Sequence, residues 1–420
     1  MANPFHKIKR VHHHIITPIR SFLKDSRAIG VILISCTLIS LILSNISGTQ
    51  AGYTGFFQQQ LPVSNWIINM PETPLGFIND ILMTFFFFLV ALEIKRELTI
   101  GELASVKKSL LPVLAAFGGM ICPAVIFAFF NNDTSFRHGW GIPMATDIAF
   151  SLGVLSLLGK KIPVQLKIFL AALAIIDDLG AIITIAIFYT SGLQLMYLFA
   201  ALGFAGLLIA INRLKITRTI FYIIPGIFLW YCLFNSGIHP TISGVIVAFA
   251  MPLSQLEKLE RFLYYPVNFF IMPLFALANT AIILPTEMGN IFTSTISFGI
   301  ILGLIAGKPI GIFIFSFFAS KAGIASLPAG TTYKQLLGIG MLGGIGFTMS
   351  IFTSTLAYEA DSLQVISKVC TICASVVSSI AGFIYLSKLK PAFEIVHHPK
   401  KQFYFSPQPV AALVEEDEEI

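Results

Sequence analysis

About twelve stretches, each long and apolar enough to cross a lipid bilayer, follow one another along this chain with only short polar or Gly/Pro-bearing joints between them. In hydrocarbon every backbone N–H and C=O needs a partner inside its own segment, so such runs have to be helices. They fall at 28–46, 78–94, 109–130, 139–158, 166–190 and 194–211, then at 218–235, 238–253, 264–284, 296–318, 335–357 and 366–387. Of the 420 residues 56% are hydrophobic and 11% charged. A soluble domain carries about a quarter charged residues, so a water-soluble fold is excluded. No polar stretch is long enough to fold separately. The expected fold is an all-α polytopic membrane protein, with twelve transmembrane helices over 28–387, an N-terminal tail over 1–27 and a C-terminal tail over 388–420.

The net charge of +6 takes its meaning from where the charges sit. If the N-terminus is cytoplasmic and each run crosses once, every Lys and Arg except Arg137, Lys308 and Lys368 falls on the cytoplasmic side. That asymmetry orients helices in a bacterial inner membrane and calls for no nucleic-acid partner. Both termini are then cytoplasmic, and the first run is an uncleaved span rather than a secretory signal. Cys36, Cys122, Cys232, Cys370 and Cys373 all lie in apolar runs as small core residues. The C-x-x-C spacing of the last two lacks the second Cys pair or βαβ pattern that redox or zinc chemistry would accompany. The loop over 47–76 has no Lys or Arg and should face the periplasm, and its turn residues fit either a β-hairpin or an irregular loop. The tail run of Glu415, Glu416, Asp417, Glu418 and Glu419 reads as a solvated segment with no chemistry.

Two of the most interrupted spans repeat each other. Residues 141–151 align without gaps on 338–348, both reading Gly-Ile-x-Met-x-x-x-Ile-x-Phe-[Ser/Thr], and at the same offset Pro112 falls on Pro309. The matched spans cross in opposite directions, which is an inverted-topology repeat and the layout of many secondary transporters. Pro143 and Gly141 in one copy, and Gly338, Gly340, Gly343, Gly344 and Gly346 in the other, predict two unwound helices that cross in mid-membrane.

Asp177 and Asp178 stand at the middle of the uncharged apolar run 168–189. Each Asp or Lys at a helix centre costs about 2.5–3.5 kcal/mol to insert, so Asp147, Asp177, Asp178 and Lys308 together cost roughly 10–14 kcal/mol. Ionisable residues in such places mark function, and one Lys cannot neutralise three carboxylates as a mere helix lock. Two adjacent carboxylates out of water cannot both stay ionised without a cation, so the pair can hold protons or a metal ion. Na⁺ and Li⁺ favour oxygen ligands, which Asp177, Asp178, Thr146 and the backbone around it can supply. Competition for that one site is sufficient for exchange. Adjacent helical residues diverge by about 100°, so one Asp can bind the ion while the other holds Lys308. Asp147 can offset the positive N-termini of half-helices, and Lys308 the negative C-termini.

Further charges follow two spans: Glu93, Lys95, Arg96 and Glu97 after one, Glu257, Lys258, Glu260 and Arg261 after another. They read as a solvated interfacial network or as a pH-responsive funnel, with Glu93 and Glu260 the funnel candidates. His239, between two spans at the periplasmic end, is a further candidate for pH response, since imidazole is the side chain that changes charge near neutral pH.

These residues resemble the NhaA family of bacterial sodium/proton antiporters. The resemblance is carried by Glu93-Ile94-Lys95-Arg96-Glu97, Ala145-Thr146-Asp147-Ile148-Ala149-Phe150, Ile175-Ile176-Asp177-Asp178-Leu179-Gly180, Gly307-Lys308-Pro309 and Gly343-Gly344-Ile345-Gly346-Phe347-Thr348, and it covers roughly 20–390. It implies Asp178 as the principal cation and proton ligand, Asp177 as its partner and the mate of Lys308, and Asp147 with Thr146 at the helix crossing. It further implies electrogenic exchange of Na⁺ or Li⁺ for H⁺, pH regulation and no cofactor. A β-hairpin over 48–72 supporting a homodimer in membrane lipid is implied as well. The sequence departs from the family at 256–265, where Arg261 and Tyr264 stand in place of histidines. The exchange is therefore carried over and the family's pH-response profile is not. An intramembrane aspartyl protease, the rival from another class, needs its aspartates on separate helices. A sodium-coupled symporter needs an additional polar pocket for an organic substrate.

Overall fold

The computed structural model describes residues 26–62, 69–132, 134–190, 192–285 and 288–389. The N- and C-terminal tails fall almost wholly outside them. The chain forms α1 (Ser26–Asn45), α2 (Gln50–Gln58), α3 (Pro74–Thr99), α4 (Val106–Asn131) and, after a 3₁₀ segment Arg137–Met144, α5 (Ile148–Leu157). Next come α6 (Val164–Phe188), α7 (Leu195–Arg213), α8 (Ile220–Ser236), α9 (Ile242–Ala250) and α10 (Leu253–Asn279). The chain continues through α11 (Met288–Thr293), α12 (Thr295–Lys321), α13 (Tyr333–Gly343), α14 (Phe347–Ala357) and α15 (Asp361–Lys388).

Among the described residues nine helical segments are long and apolar enough to cross a membrane, or up to ten if the bent pair α13 and α14 is one span. The expected spans at 218–235 and 238–253 fall on α8 and α9, which have 17 and 9 residues. Local chemistry ends both. Gly237 takes a left-handed φ of 89° after α8, a conformation glycine adopts without a Cβ penalty. Pro252 forces Met251 into extended geometry after α9. The expected span 264–284 begins earlier than its apolar stretch, because α10 continues back to Leu253 with Leu256 and Leu263 buried and Glu257, Lys258 and Arg261 outward.

The loop after α1 differs from the hairpin that the family resemblance implied. Residues 50–58 are helical, and no strand occurs among the described residues. Tyr53 and Phe57 are four apart and pack edge to face at 5.4 Å, and the Tyr53 hydroxyl donates to the Leu277 carbonyl at 3.2 Å. Spacing of that kind puts the two rings one turn apart on the same face of the helix. Residues 63–68 of the expected hairpin lie outside the described residues.

α4 and α12 cross so closely that a Cβ at Gly118 would run into the Gly311 carbonyl, and one at Gly311 into the Gly118 carbonyl. Small residues allow such backbone contact in membranes, where van der Waals packing replaces the hydrophobic drive. Gly311→Val should destabilise the fold by about 3 kcal/mol, the upper part of the overpacking range, and thermal unfolding in detergent reads this directly. The same helix carries a π-helical turn at Gly303–Gly307, immediately before Lys308-Pro309. Pro309 has no N–H to donate and its ring crowds the preceding turn; the wider turn relieves both and sets the direction in which Lys308 leaves the helix.

Candidate ion-binding site

Two helix breaks meet in the interior. Between Arg137–Met144 and α5, residues 145–147 leave helical geometry, and between α13 and α14, residues 344–346 turn the chain by 46°. The Asp147 N–H donates to the Ile345 carbonyl at 2.7 Å, joining the breaks directly. Ser151 donates to the Leu342 carbonyl at 2.9 Å and Ser350 to the Ile142 carbonyl at 2.6 Å, so hydroxyls from each chain segment take up carbonyls that the other leaves free. The 3₁₀ segment is held from its outer end. Tyr189 accepts from the Gly141 N–H at 3.2 Å and donates to the His138 carbonyl at 2.8 Å, and Tyr358 donates to the Phe136 carbonyl at 2.9 Å. Burial pushes the Tyr358 phenol well above the ordinary tyrosine range, so it remains a donor.

Asp147 caps both half-helices. Its Oδ1 accepts from the Phe150 N–H at 3.0 Å, at the start of α5. Its Oδ2 accepts from the Thr348 N–H at 3.2 Å and the Thr348 hydroxyl at 2.5 Å, at the start of α14. A carboxylate is the fitting group here, since two helix N-termini present partial positive charge.

The adjacent aspartates of α6 face different surroundings. Asp177 Oδ2 accepts from Lys308 Nζ at 2.7 Å, with both side chains fully buried, and lies 2.8 Å from the Thr146 hydroxyl. That hydroxyl also sits 2.8 Å from the Gly343 carbonyl and accepts from Lys308. A hydroxyl has a single proton, so Thr146 donates either to Asp177 or to Gly343. Lys308 therefore stands over the carbonyl end of α13, where the partial charge is negative. Among the described residues none makes a hydrogen bond or ion pair to Asp178, although it is only 3% exposed and its Oδ1 is shut away from solvent. Asp177 Oδ1 is likewise unpartnered.

Asp178 lines a cavity of about 360 Å³, together with Thr146, Asp147 and Thr348. At the other end the lining includes Arg96, Glu97 and Glu102, with Glu93, Tyr264 and Asn268 also on its wall. Arg96 bridges Glu97 and Glu260, each at 3.3 Å, so Glu260 is tied to the cavity mouth through that guanidinium. His239 lies elsewhere. Its Nε2 is 3.3 Å from Asp80 Oδ1, its Nδ1 is 2.7 Å from the Thr241 hydroxyl, and its ring meets Phe352 edge on. Asp80 and Glu93 are separated along α3 by about 20 Å at 1.5 Å per residue, which puts His239 at the opposite end from the cavity mouth.

Thus Asp177, Asp178, Thr146, Asp147 and Lys308 come together, Glu93 and Glu260 stand along and beside the cavity, and His239 is apart. Sequence reasoning did not single out Thr348 or Asn268 as site residues. Thr348 carried a signal, being the repeat counterpart of Ser151; Asn268 carried none beyond a polar residue in an apolar run.

A family profile described as Na⁺/H⁺ antiporter 1 matches residues 20–386. The chain belongs to this family. It is 47% identical over 376 residues to a protein named Na⁺/H⁺ antiporter NhaA 1 of Flavobacterium johnsoniae, covering 87% of this chain and 96% of the relative. To that organism's Na⁺/H⁺ antiporter NhaA 2 it is 50% identical over 373 residues, covering 87% and 91%. An Escherichia coli Na⁺/H⁺ antiporter NhaA is 43% identical over 383 residues, covering 89% and 98%. As a member of the Na⁺/H⁺ antiporter 1 family whose described residues include nine or ten segments long and apolar enough to cross a membrane, the chain is a multi-pass membrane protein of a family of transporters.

Proposed function

We propose that this protein expels Na⁺ or Li⁺ from the cell in exchange for entering protons, with cation and protons competing for Asp178. The observation that carries the reading is the division between the two aspartates: Asp177 is neutralised by Lys308, while Asp178, with no partner among the described residues, lines the cavity. A cation in that cavity would meet Asp178 and Thr146 as oxygen ligands, which suits Na⁺ and Li⁺, with Asp177, held by Lys308, next to Asp178 in the chain and behind the wall. Acidification protonates the carboxylates and displaces the cation; alkalinisation frees them. Apparent Na⁺ affinity should therefore rise with pH.

If one Na⁺ alternates with two protons, each cycle moves net charge, and the membrane potential contributes about 2.3 kcal/mol per charge per 100 mV. An inside-negative cell then drives sodium outward. Counting α8, α9 and the bent pair as one span each gives the twelve-span arrangement, with 141–151 and 338–348 as cores of inverted repeats and both termini cytoplasmic. In that orientation the Arg96, Glu97 and Glu102 mouth faces the cytoplasm, and we assign pH response to this mouth, through Glu93 and the Arg96–Glu260 pair, and to His239 at the other end. Homodimer formation in membrane lipid belongs to the same proposal.

Everted vesicles carrying the protein test it. Na⁺ or Li⁺, but not K⁺, should collapse a preformed ΔpH between pH 6.5 and 8.5, faster when the vesicle potential favours net charge movement. Absence of exchange at every pH would contradict the proposal.

A further inference from the structure

The cavity wall holds oxygens that binding at Asp178 does not use. Asn268 lies on a π-helical turn of α10, Val267–Ile271, and lines the cavity with Glu93 of α3 and Tyr264. Its amide nitrogen donates to the Tyr264 backbone carbonyl at 2.9 Å. A carbonyl only accepts, so the atom facing it has to be Nδ2, and the orientation of the amide is thereby settled. Oδ1 is left with no partner among the described residues. Glu93 is in a comparable position. Arg96, one helical turn on, is held by Glu97 and Glu260, and no described residue donates a hydrogen bond or closes an ion pair to the Glu93 carboxylate. The Tyr264 hydroxyl is also not engaged by any described residue. α3 and α10 pack side by side, which brings these three oxygen-bearing groups to one cavity.

Leu89, Val90, Ile175, Met272 and Met349 make up much of the remaining wall. Such a lining offers no replacement for the water a cation sheds on leaving the charged mouth. Free oxygens along the cavity supply that replacement.

We infer that Glu93 and the Asn268 amide oxygen form a second cation station, which takes a partly hydrated Na⁺ or Li⁺ on its way between the cavity mouth and Asp178. One carboxylate with neutral oxygens beside it balances a monovalent ion and leaves a divalent one uncompensated. Oxygen ligands suit hard cations, and the single negative charge sets the preference for a monovalent one. The inference rests on the antiport reading and adds a site to it.

The test uses the full chain in everted and right-side-out vesicles, so that Na⁺ is offered separately to the cavity face and to the opposite face. Asn268→Leu removes the amide oxygen. It should raise the apparent KM for Na⁺ at the cavity face about tenfold, the loss of one ligand to a charged group, with KM at the opposite face and the maximal rate unchanged. Asn268→Asp, which adds a second carboxylate oxygen, should lower KM at the cavity face only. An equal KM change at both faces, or none at either, in the variant that folds overturns the station. Wild-type protein and Asp178→Asn, run alongside, separate the two claims: failure of wild-type exchange removes the antiport reading itself, whereas normal wild-type exchange with face-independent KM removes only the station.

Discussion

Asp178→Asn should leave a folded protein that exchanges neither Na⁺ nor Li⁺ for protons at any pH. Asparagine keeps the size and an oxygen but neither charges nor takes up a proton in this range, so cation and proton no longer compete. Nothing in the fold depends on the lost charge, because no described residue makes a hydrogen bond or ion pair to Asp178. Removing an unpartnered buried carboxylate relieves a desolvation cost, so the variant should be at least as stable as wild type. Thermal unfolding in detergent, paired with ΔpH collapse in vesicles, reads both halves. A variant that unfolds early would assign Asp178 a structural role instead.

Lys308→Met should have the opposite profile and the largest effect on stability. It leaves Asp177 buried with Thr146 the one remaining donor among the described residues, and breaking a buried ion pair from one side costs about 3–5 kcal/mol. The cost has a pH sign. Asp177 can escape it by taking a proton, so the loss should be greatest at alkaline pH and shrink as the solution is acidified. Replacing both partners, as in Asp177→Asn with Lys308→Met, removes the uncompensated charge and should recover at least half of the lost stability. Melting temperatures across pH for wild type, each single variant and the double variant form the cycle. A double variant no more stable than Lys308→Met alone would mean that the pair is not the locking contact between α6 and α12.

The parts of this architecture that sequence made legible are those written in uncharged runs and misplaced charges. The segments around Asp177, Asp178 and Lys308 could only be buried in a membrane, and the pairing of Lys308 with one of two diverging aspartates follows from helical geometry. The double capping by Asp147 was legible only as a tendency, since its second partner, Thr348, lies far along the chain and meets it through the Ile345 contact. α8 falls within two residues of its expected span, whereas α9 runs only from Ile242 to Ala250 inside the expected 238–253, because hydropathy registers neither the turn before Ile242 nor the way Pro252 ends the helix. The stretch that forms α2 left hairpin and loop open because its tertiary anchor, the Leu277 carbonyl, is on α10. Asn268 was silent because its amide acts only through the cavity that three-dimensional packing creates.

Competition at Asp178 is tested most directly by adding Na⁺ to purified, detergent-solubilised protein in weakly buffered solution near pH 8 and recording the pH. If cation and protons contend for that carboxylate, Na⁺ and Li⁺ acidify the medium for wild type while K⁺ does not, and Asp178→Asn gives no signal. Sodium binding by calorimetry without proton release, or proton release undiminished in Asp178→Asn, would contradict it.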